Sequence, residues 1–506
     1  MLSQAVFLLQ SAWLASLFTS SAAANATTSA TSNNYTINVD DPVNGGFNAT
    51  AWSLIYTYPL YIFGNFAGNV LRNVPVNTIF HQRELASPDD PGVIKPNIDT
   101  LYSRVVLDLS NNDVVLTVPN ITDGRYWVYP VYDPYGNNIA EIGNLNNSTA
   151  GQYLIRRADD VLAQPGIELL PEIENYSRQY QGIVNLPTTH ATMLIRLFVK
   201  QNTTEDLNQL HIYQNASGLT PIPRQNTTYT APSPAGNLSS LAPNGSLLGI
   251  STSEKLLSFA AKFVPYNQPE NYTDRYRVAS ILGAAGLYSG SYHAPADLNL
   301  TLAETIANAS ITADIRTPSH VRYLSNDWQL TIPSYQGNYA THYAPRAYIA
   351  IAGYQQQTVR QTLYPGYKNV GFSSTFSLAA NQSLLLTFSG KPLLRPSGFW
   401  SLSVYGADQY LIPNSLNRFE IGDRSTNLTY QDGGGLVYGG NANETQDGPF
   451  QVLLQDVENP PAANWTGNWV PSTQSFSFIL RWYTPTDAMT NGTYVYPKVE
   501  VVDSVV

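Results

Sequence analysis

Cysteine is absent from this 506-residue chain, so the disulfide framework common in small secreted domains is excluded and stability must come from large packed cores. Charge is also scarce. Asp, Glu, Lys and Arg make up only 12% of the residues, about half the usual share for a soluble chain. The 26 basic residues form no cluster and are outnumbered by 36 acidic ones, giving a formal net charge of −10. A chain without a basic track offers nothing to a phosphate backbone, and nucleic acid is not an expected partner. The phosphate-binding loop, the dinucleotide fingerprint, the G-x-S-x-G elbow and the HExxH motif are all missing. The six histidines, at 81, 190, 211, 293, 320 and 342, stand singly. No cofactor and no metal site are therefore expected. Long apolar runs are lacking too, apart from Ala5–Phe18 near the N-terminus, which is shorter than the ~20 residues a membrane-spanning helix needs.

What is present points outside the cell. The apolar N-terminal run is followed by small residues at Ala22 and Ala24, the form of a cleavable signal peptide over residues 1–24. Residues 25–47 are rich in Ser, Thr and Asn without apolar periodicity and read as a flexible leader. About twenty Asn-x-Ser/Thr sequons follow, among them Asn34, Asn120, Asn175, Asn226, Asn299, Asn427 and Asn491. Behind a signal peptide they indicate a secreted, extracellular glycoprotein with no membrane span in its mature form.

The rest of the chain reads as β-rich, helical, then β-rich. AWSLIYTYPLYIFGNFAGNVLRNV, residues 51–74, is apolar and interrupted by Pro59 and Gly64, which predicts one kinked or two short buried helices. Runs such as SRVVLDL, DVVLTV, RYWVYPVY and ATMLIRLFV predict strands. Residues 213–251 turn to Asn, Pro, Ser and Gly and read as a connector or exposed excursion. Helical patterns in EKLLSFAAKFV, RYRVASILGAAGLY, LAETIANASI and PRAYIAIAGYQQQTVRQTLY give way to strand patterns from Phe376 onward. The expected fold is mixed but mainly β, with two β-sandwich-like domains and helical subdomains between them and at the N-terminal side. The expected boundaries are a domain over 48–230 with leading helices, a connector and helical subdomain over 231–335, and a helix plus second β-rich domain over 336–506.

Two segments carry a family resemblance. PNIDTLYSRVVLDLS at 96–110, followed by VVLTVPNITDGRYWVYPVYDPYGNNIAEIG, resembles the domain of unknown function numbered 1254. PLLRPSGFWSLSVYGADQYLIPNSLNRFEIGD at 392–423 and NWVPSTQSFSFILRWYTP at 468–485 resemble its usual companion, the domain of unknown function numbered 1214. The resemblance implies a secreted or periplasmic multi-domain protein of β-sandwich type. It brings no reaction and no catalytic residue. The many sequons and the Asn/Pro-rich insert depart from the bacterial pattern and suggest a glycosylated, fungal-type relative.

Strand alternation then sorts the motif residues into faces. In PNIDTLYSRVVLDLS, Asn97 and Asp99 continue the row of Leu101, Val105, Leu107 and Leu109, whereas Tyr102 falls opposite. A carboxylate at the end of a buried row must find donors or a cation, and arginine is the natural partner for Asp99. In SFSFILRWYTP the row Phe476, Phe478, Leu480, Trp482 leaves Arg481 on the other face; in GFWSLSVYG, Trp400, Leu402 and Val404 form the apolar side. Two functions fit. The first is an enzyme acting on a small extracellular molecule or glycan at an interdomain pocket, with Asp99 and Tyr102 as catalytic residues and Asn97, Arg346, Trp400 and Arg481 binding the ligand. The second is a non-catalytic protein that binds a small molecule or carbohydrate through aromatic surfaces.

Overall fold

The computed structural model describes residues 36–37, 46–89, 94–171, 179–224, 253–369, 371, 373–431 and 433–506. The expected signal peptide, most of the expected leader and residues 225–252 lie outside these residues, as do the sequons at Asn34, Asn175 and Asn226. Asn120, Asn299, Asn427 and Asn491 are exposed.

Strand and helix take similar shares, about 31% and 29%, so the fold is mixed, with β-sandwiches and a separate helical body. Helix α1 (Gly46–Leu71) runs unbroken through Pro59. Apolar residues occur all round it, so it is stable only when enclosed. It packs against α3 (Ser253–Phe263), α4 (Arg275–Ala284), α5 (Leu300–Ile315) and α6 (Tyr343–Gly353). The helical parts expected at separate places therefore share one core, built around Trp52, Tyr56, Phe63, Phe263 and Ala347.

The first sandwich has one sheet in the order β1-β2-β9-β4-β5 and a second in the order β10-β3-β6-β8-β7. The strands are β1 (Phe80–His81), β2 (Thr100–Asp108), β3 (Asn112–Val118), β4 (Trp127–Tyr132), β5 (Asn138–Gly143), β6 (Gly151–Arg157), β7 (Gly166–Leu169), β8 (Gly182–Leu186), β9 (His190–Phe198) and β10 (Gly218–Pro223). Leu101, Val105 and Leu107 of β2 face the inter-sheet core with Met193, Ile195 and Leu197 of β9, as alternation requires. The start of the presumed connector is in fact ordered: helix α2 (Thr204–Ala216) ends just before β10, which pairs with β3. GLTPIP reads poorly as a strand because of its two prolines. It is accommodated at the sheet edge, where the missing N–H groups have no neighbour to lose.

The second sandwich pairs a sheet β11-β18-β14-β15, with β12 also bonded to β18, and a sheet β17-β16-β13-β19. Its strands are β11 (Thr362–Leu363), β12 (Ser374–Ser377), β13 (Gln382–Phe388), β14 (Trp400–Gly406), β15 (Glu420–Gly422), β16 (Phe450–Asp456), β17 (Trp469–Ser472), β18 (Ser475–Tyr483) and β19 (Lys498–Asp503). Trp400, Trp482, Phe388 and Phe450 fill its core. The outer face of this β14–β18 sheet lies against the outer face of the β2–β9–β4 sheet. Two apolar seams hold the faces together: Tyr126, Val128 and Phe198 meet Phe399 and Tyr483, and Ile98 meets Tyr405, Leu411 and Ile479. The Phe198 and Phe399 rings stack at 3.8 Å. Between the seams the interface is polar.

Candidate functional site between the sandwiches

The polar part of the interface begins at the turn into β2. The Asn97 side-chain oxygen accepts the backbone N–H groups of Asp99 (2.7 Å) and Thr100 (3.3 Å), a local lock that starts the strand. Its amide donates to the Tyr483 hydroxyl across the interface at 2.7 Å. Asp99 is fully buried. Ser401 donates to its Oδ2 at 2.7 Å, and Arg424 Nη2 pairs with its Oδ1. The same Arg424 nitrogen also meets Glu420, four residues earlier and on the short strand β15.

These three charged groups settle each other's protonation. Burial pushes the Asp99 carboxyl up, but the Arg424 guanidinium, with a hydrogen bond from Glu420 and the nearby Arg481, outweighs it and holds Asp99 below its ordinary value. Glu420 goes the other way. Burial drives it well above the usual carboxylate range despite Arg424, and the neighbouring Asp99 charge adds to the rise. Burial likewise lifts Asp423, which accepts from the Trp400 backbone N–H at 3.2 Å, to about 7. Asp99 and Glu420 touch one nitrogen and so leave no room for a substrate between them, unlike the carboxylate pair of a glycosidase at ~5–10 Å.

Farther into the interface the character changes. Arg481, 3% exposed, donates to the Ser403 hydroxyl at 2.8 Å and the Tyr405 hydroxyl at 2.9 Å, and its guanidinium lies 5.9 Å from the Tyr364 ring. Arg196 of β9, 5% exposed, lies 5.4 Å from the Tyr102 ring and donates to the Gln355 carbonyl at 3.3 Å. Among the described residues no carboxylate forms an ion pair with either arginine; Asp99 acts on Arg481 only through space. Tyrosines surround both. Burial raises the pKa of Tyr102, Tyr126, Tyr132 and Tyr483, so their hydroxyls stay neutral and act on the guanidinium groups only as dipoles. The buried polar atoms of this region without a protein partner include Arg196 Nε, Arg481 Nε, Gln361 Nε2, the Tyr132 hydroxyl and Gln357 Oε1. We refer to it as the Arg–Tyr chamber.

The residues singled out by sequence are thus distributed over several places. Asn97, Tyr102 and Arg481 come together at the chamber, with Asp99 sealed at its edge. Trp400 lies on the opposite face of β14, inside the second sandwich, with its indole N–H donating to the Tyr438 hydroxyl at 2.9 Å. Arg346 is in the helical body, held by the Tyr56 carbonyl at 2.9 Å and ringed by Tyr56, Tyr135 and Tyr343 at 4.4–4.7 Å. The arginine that meets Asp99 is Arg424 rather than Arg481. Arg196, Arg424, Glu420 and Tyr132 were missed. Arg196 had a signal, being the only charge inside the apolar run ATMLIRLFV. Arg424 had none, since it follows a three-residue strand. Among the described residues no three His, Cys, Asp or Glu groups are placed to hold a metal ion, and no helix is long and apolar enough to cross a membrane.

Comparison with known proteins adds the following. Residues 76–221 match the family described as "Protein of unknown function (DUF1254)", and residues 373–487 match "Protein of unknown function (DUF1214)". The two occur in the order the sequence motifs indicate and cover most of the two sandwiches. A crystal structure of a protein from Vibrio parahaemolyticus has a TM-score of 0.56 at 17% identity, covering 90% of this chain and 100% of that one. It shows a shared fold. An uncharacterized protein from Burkholderia cenocepacia gives a TM-score of 0.40 at 11% identity, covering 92% and 91%. No curated protein matches the chain.

Proposed function

We propose that this protein is a secreted glycoprotein of fungal type that binds a small anionic molecule in the Arg–Tyr chamber between its two sandwiches. The observation that carries this reading is the pair of buried guanidinium groups, Arg196 and Arg481, which pack among neutral tyrosines and form no ion pair among the described residues, Asp99 acting on Arg481 only from a distance. Buried cations without a contacting anion are expensive in a low-dielectric interior. An anion placed between them offsets that cost, and the unpartnered Nε–H groups are the donors it would meet.

Binding is favoured over catalysis by the state of Asp99. A general base must reach a substrate proton, whereas this carboxylate is 0% exposed and engaged by Ser401 and Arg424. Tyr102, with its pKa raised by burial, is a poor proton donor near neutral pH. The extracellular assignment is supported by the N-terminal sequence and the exposed sequon asparagines.

The binding reading is tested by calorimetry and thermal melting with small carboxylates and sulfate on the wild type, Arg196→Met and Arg481→Met. Saturable binding lost in both variants supports it. Binding undiminished in either variant places the anion elsewhere and overturns it. Secretion and glycosylation are checked by expressing the full chain in a fungal host: the protein should appear in the medium without residues 1–24 and lose mass on treatment with an Asn-glycan-releasing enzyme.

A further inference from the structure

The unmatched atoms differ in kind. Arg196 Nε, Arg481 Nε, Gln361 Nε2 and the Tyr132 hydroxyl can donate, and each side chain is at least nine-tenths buried. Gln357 Oε1 is an acceptor. The Gln357 amide nitrogen donates to the Tyr126 hydroxyl at 2.8 Å, and the Tyr126 hydroxyl donates to Gln361 Oε1 at 2.9 Å, which leaves Gln357 Oε1 with no donor. The atoms belong to one neighbourhood: Arg196 donates to the Gln355 carbonyl, the Gln355 amide donates to Thr192 Oγ1, and Thr192 pairs across the sheet with Tyr132, while Gln357 follows two residues after Gln355 and Arg481 lies over the Tyr364 ring.

A bare anion such as sulfate answers the donors and the charge but brings no proton for Gln357. A neutral polyol answers the hydrogen bonds but leaves two guanidinium charges uncompensated. We infer that the chamber takes a hydroxycarboxylic acid, with its carboxylate between Arg196 and Arg481 and a neighbouring hydroxyl donating to Gln357 Oε1. Sugar acids belong to this class. The inference rests on the anion-binding reading above and narrows it. The nearby surface carries a small recess lined by Gln329, Tyr348, Gln356, Tyr364 and Gly371. Tyr364, half-buried, borders this recess while its ring faces Arg481.

The experiment is calorimetric titration of the full chain with matched probes. Lactate is set against propionate, and D-glucuronate against cyclohexanecarboxylate and D-glucose. At least one hydroxy acid should bind about tenfold or more tightly than its hydroxyl-free partner, and glucose should not bind measurably. Gln357→Met should remove the discrimination between hydroxy acid and plain acid. Tyr132→Phe is the variant that guards against misfolding: its hydroxyl has no protein partner to lose, so the melting temperature should hold or rise while affinity falls about tenfold. Plain carboxylates binding as tightly as their hydroxylated partners overturn the hydroxy-acid inference and leave the anion site standing. Failure of every anion to bind the folded wild type overturns both.

Discussion

At the Arg424 end of the interface a guanidinium is met by two carboxyl groups, and at Arg196, on the strand whose end Arg424 touches at the Val199 carbonyl, it is met by phenols. The first arrangement is held by ion pairs. Asp99 comes from one sandwich, while Ser401, Glu420 and Arg424 come from the other, so the cluster ties the halves together, with Arg424 Nε and Glu420 Oε2 left without a partner. The second holds no ion pair among the described residues and leaves guanidinium Nε–H groups and an amide oxygen unmatched. Arg346 is a useful third case. Like Arg196 it is surrounded by tyrosines, but three rings enclose it, and the Asp133 charge in the same core opposes its own. Buried arginine among tyrosines is therefore a building habit of this chain, and what distinguishes the chamber is the convergence of two such arginines.

This contrast can be broken most severely at the seams that hold both ends in place. Phe399→Ala removes a fully buried ring stacked on Phe198 and Tyr483 and should cost about 4 kcal/mol by denaturant unfolding, with both ends loosened together. Arg424→Met acts on the ion-paired end alone. It leaves the Asp99 charge sealed without its counterion and should cost about 3 kcal/mol, the lower part of the range for a broken buried pair because Arg424 is itself 16% exposed. A loss below about 1 kcal/mol would mean that Asp99 is protonated or solvated, and the account of that end would fail.

The pH profile gives a further, smaller test. Burial pushes Asp423 and Glu270 up to about 7, above their ordinary values of 3.8 and 4.5. Groups with raised folded values contribute stability that is complete below about pH 4 and is lost as pH rises through about 7. Asp99, held low, has the opposite sign: its contribution is present above its ordinary value and is lost as pH falls below it. The free energy of urea unfolding should therefore be highest near pH 4–5 and decline toward pH 8 by roughly 1–3 kcal/mol, given that both raised groups are partly exposed. Glu270→Gln should flatten the decline. Tyr132→Phe has the smallest effect expected, with stability within about 0.5 kcal/mol of wild type or slightly above it. A loss of 2 kcal/mol or more would show that the hydroxyl is satisfied in the native protein.

Much of this arrangement could be read from alternation. The rows Trp400–Leu402–Val404 and Phe476–Phe478–Leu480–Trp482 were assigned to a core, and that is where they lie, which puts Ser401, Ser403 and Arg481 on the facing side. The same rule carried Leu101 to Leu107 into the first sandwich. Alternation tells which face a residue is on but not what lies across from it. Asp99 was seen to need a cation, yet Arg424 is supplied by a segment 325 residues away with no periodicity of its own. Trp400 illustrates the opposite risk, since a large aromatic in a matched motif is as readily a core filler as a ligand contact. Helix α1 shows a further limit. Pro59 marks a local break in the sequence, but enclosure by four other helices decides the outcome.

The tyrosines that line the interface also give the protein an optical property. An exposed phenol ionises near pH 10 and its ultraviolet absorption shifts to longer wavelength smoothly as alkali is added. Tyr126, Tyr132 and Tyr483 have their ionisation displaced well beyond that range while the sandwiches stay together. Their phenolate bands should then appear only when the two halves part, in a single cooperative step, so that a spectrophotometric base titration reports directly on the integrity of the contact between the sheets.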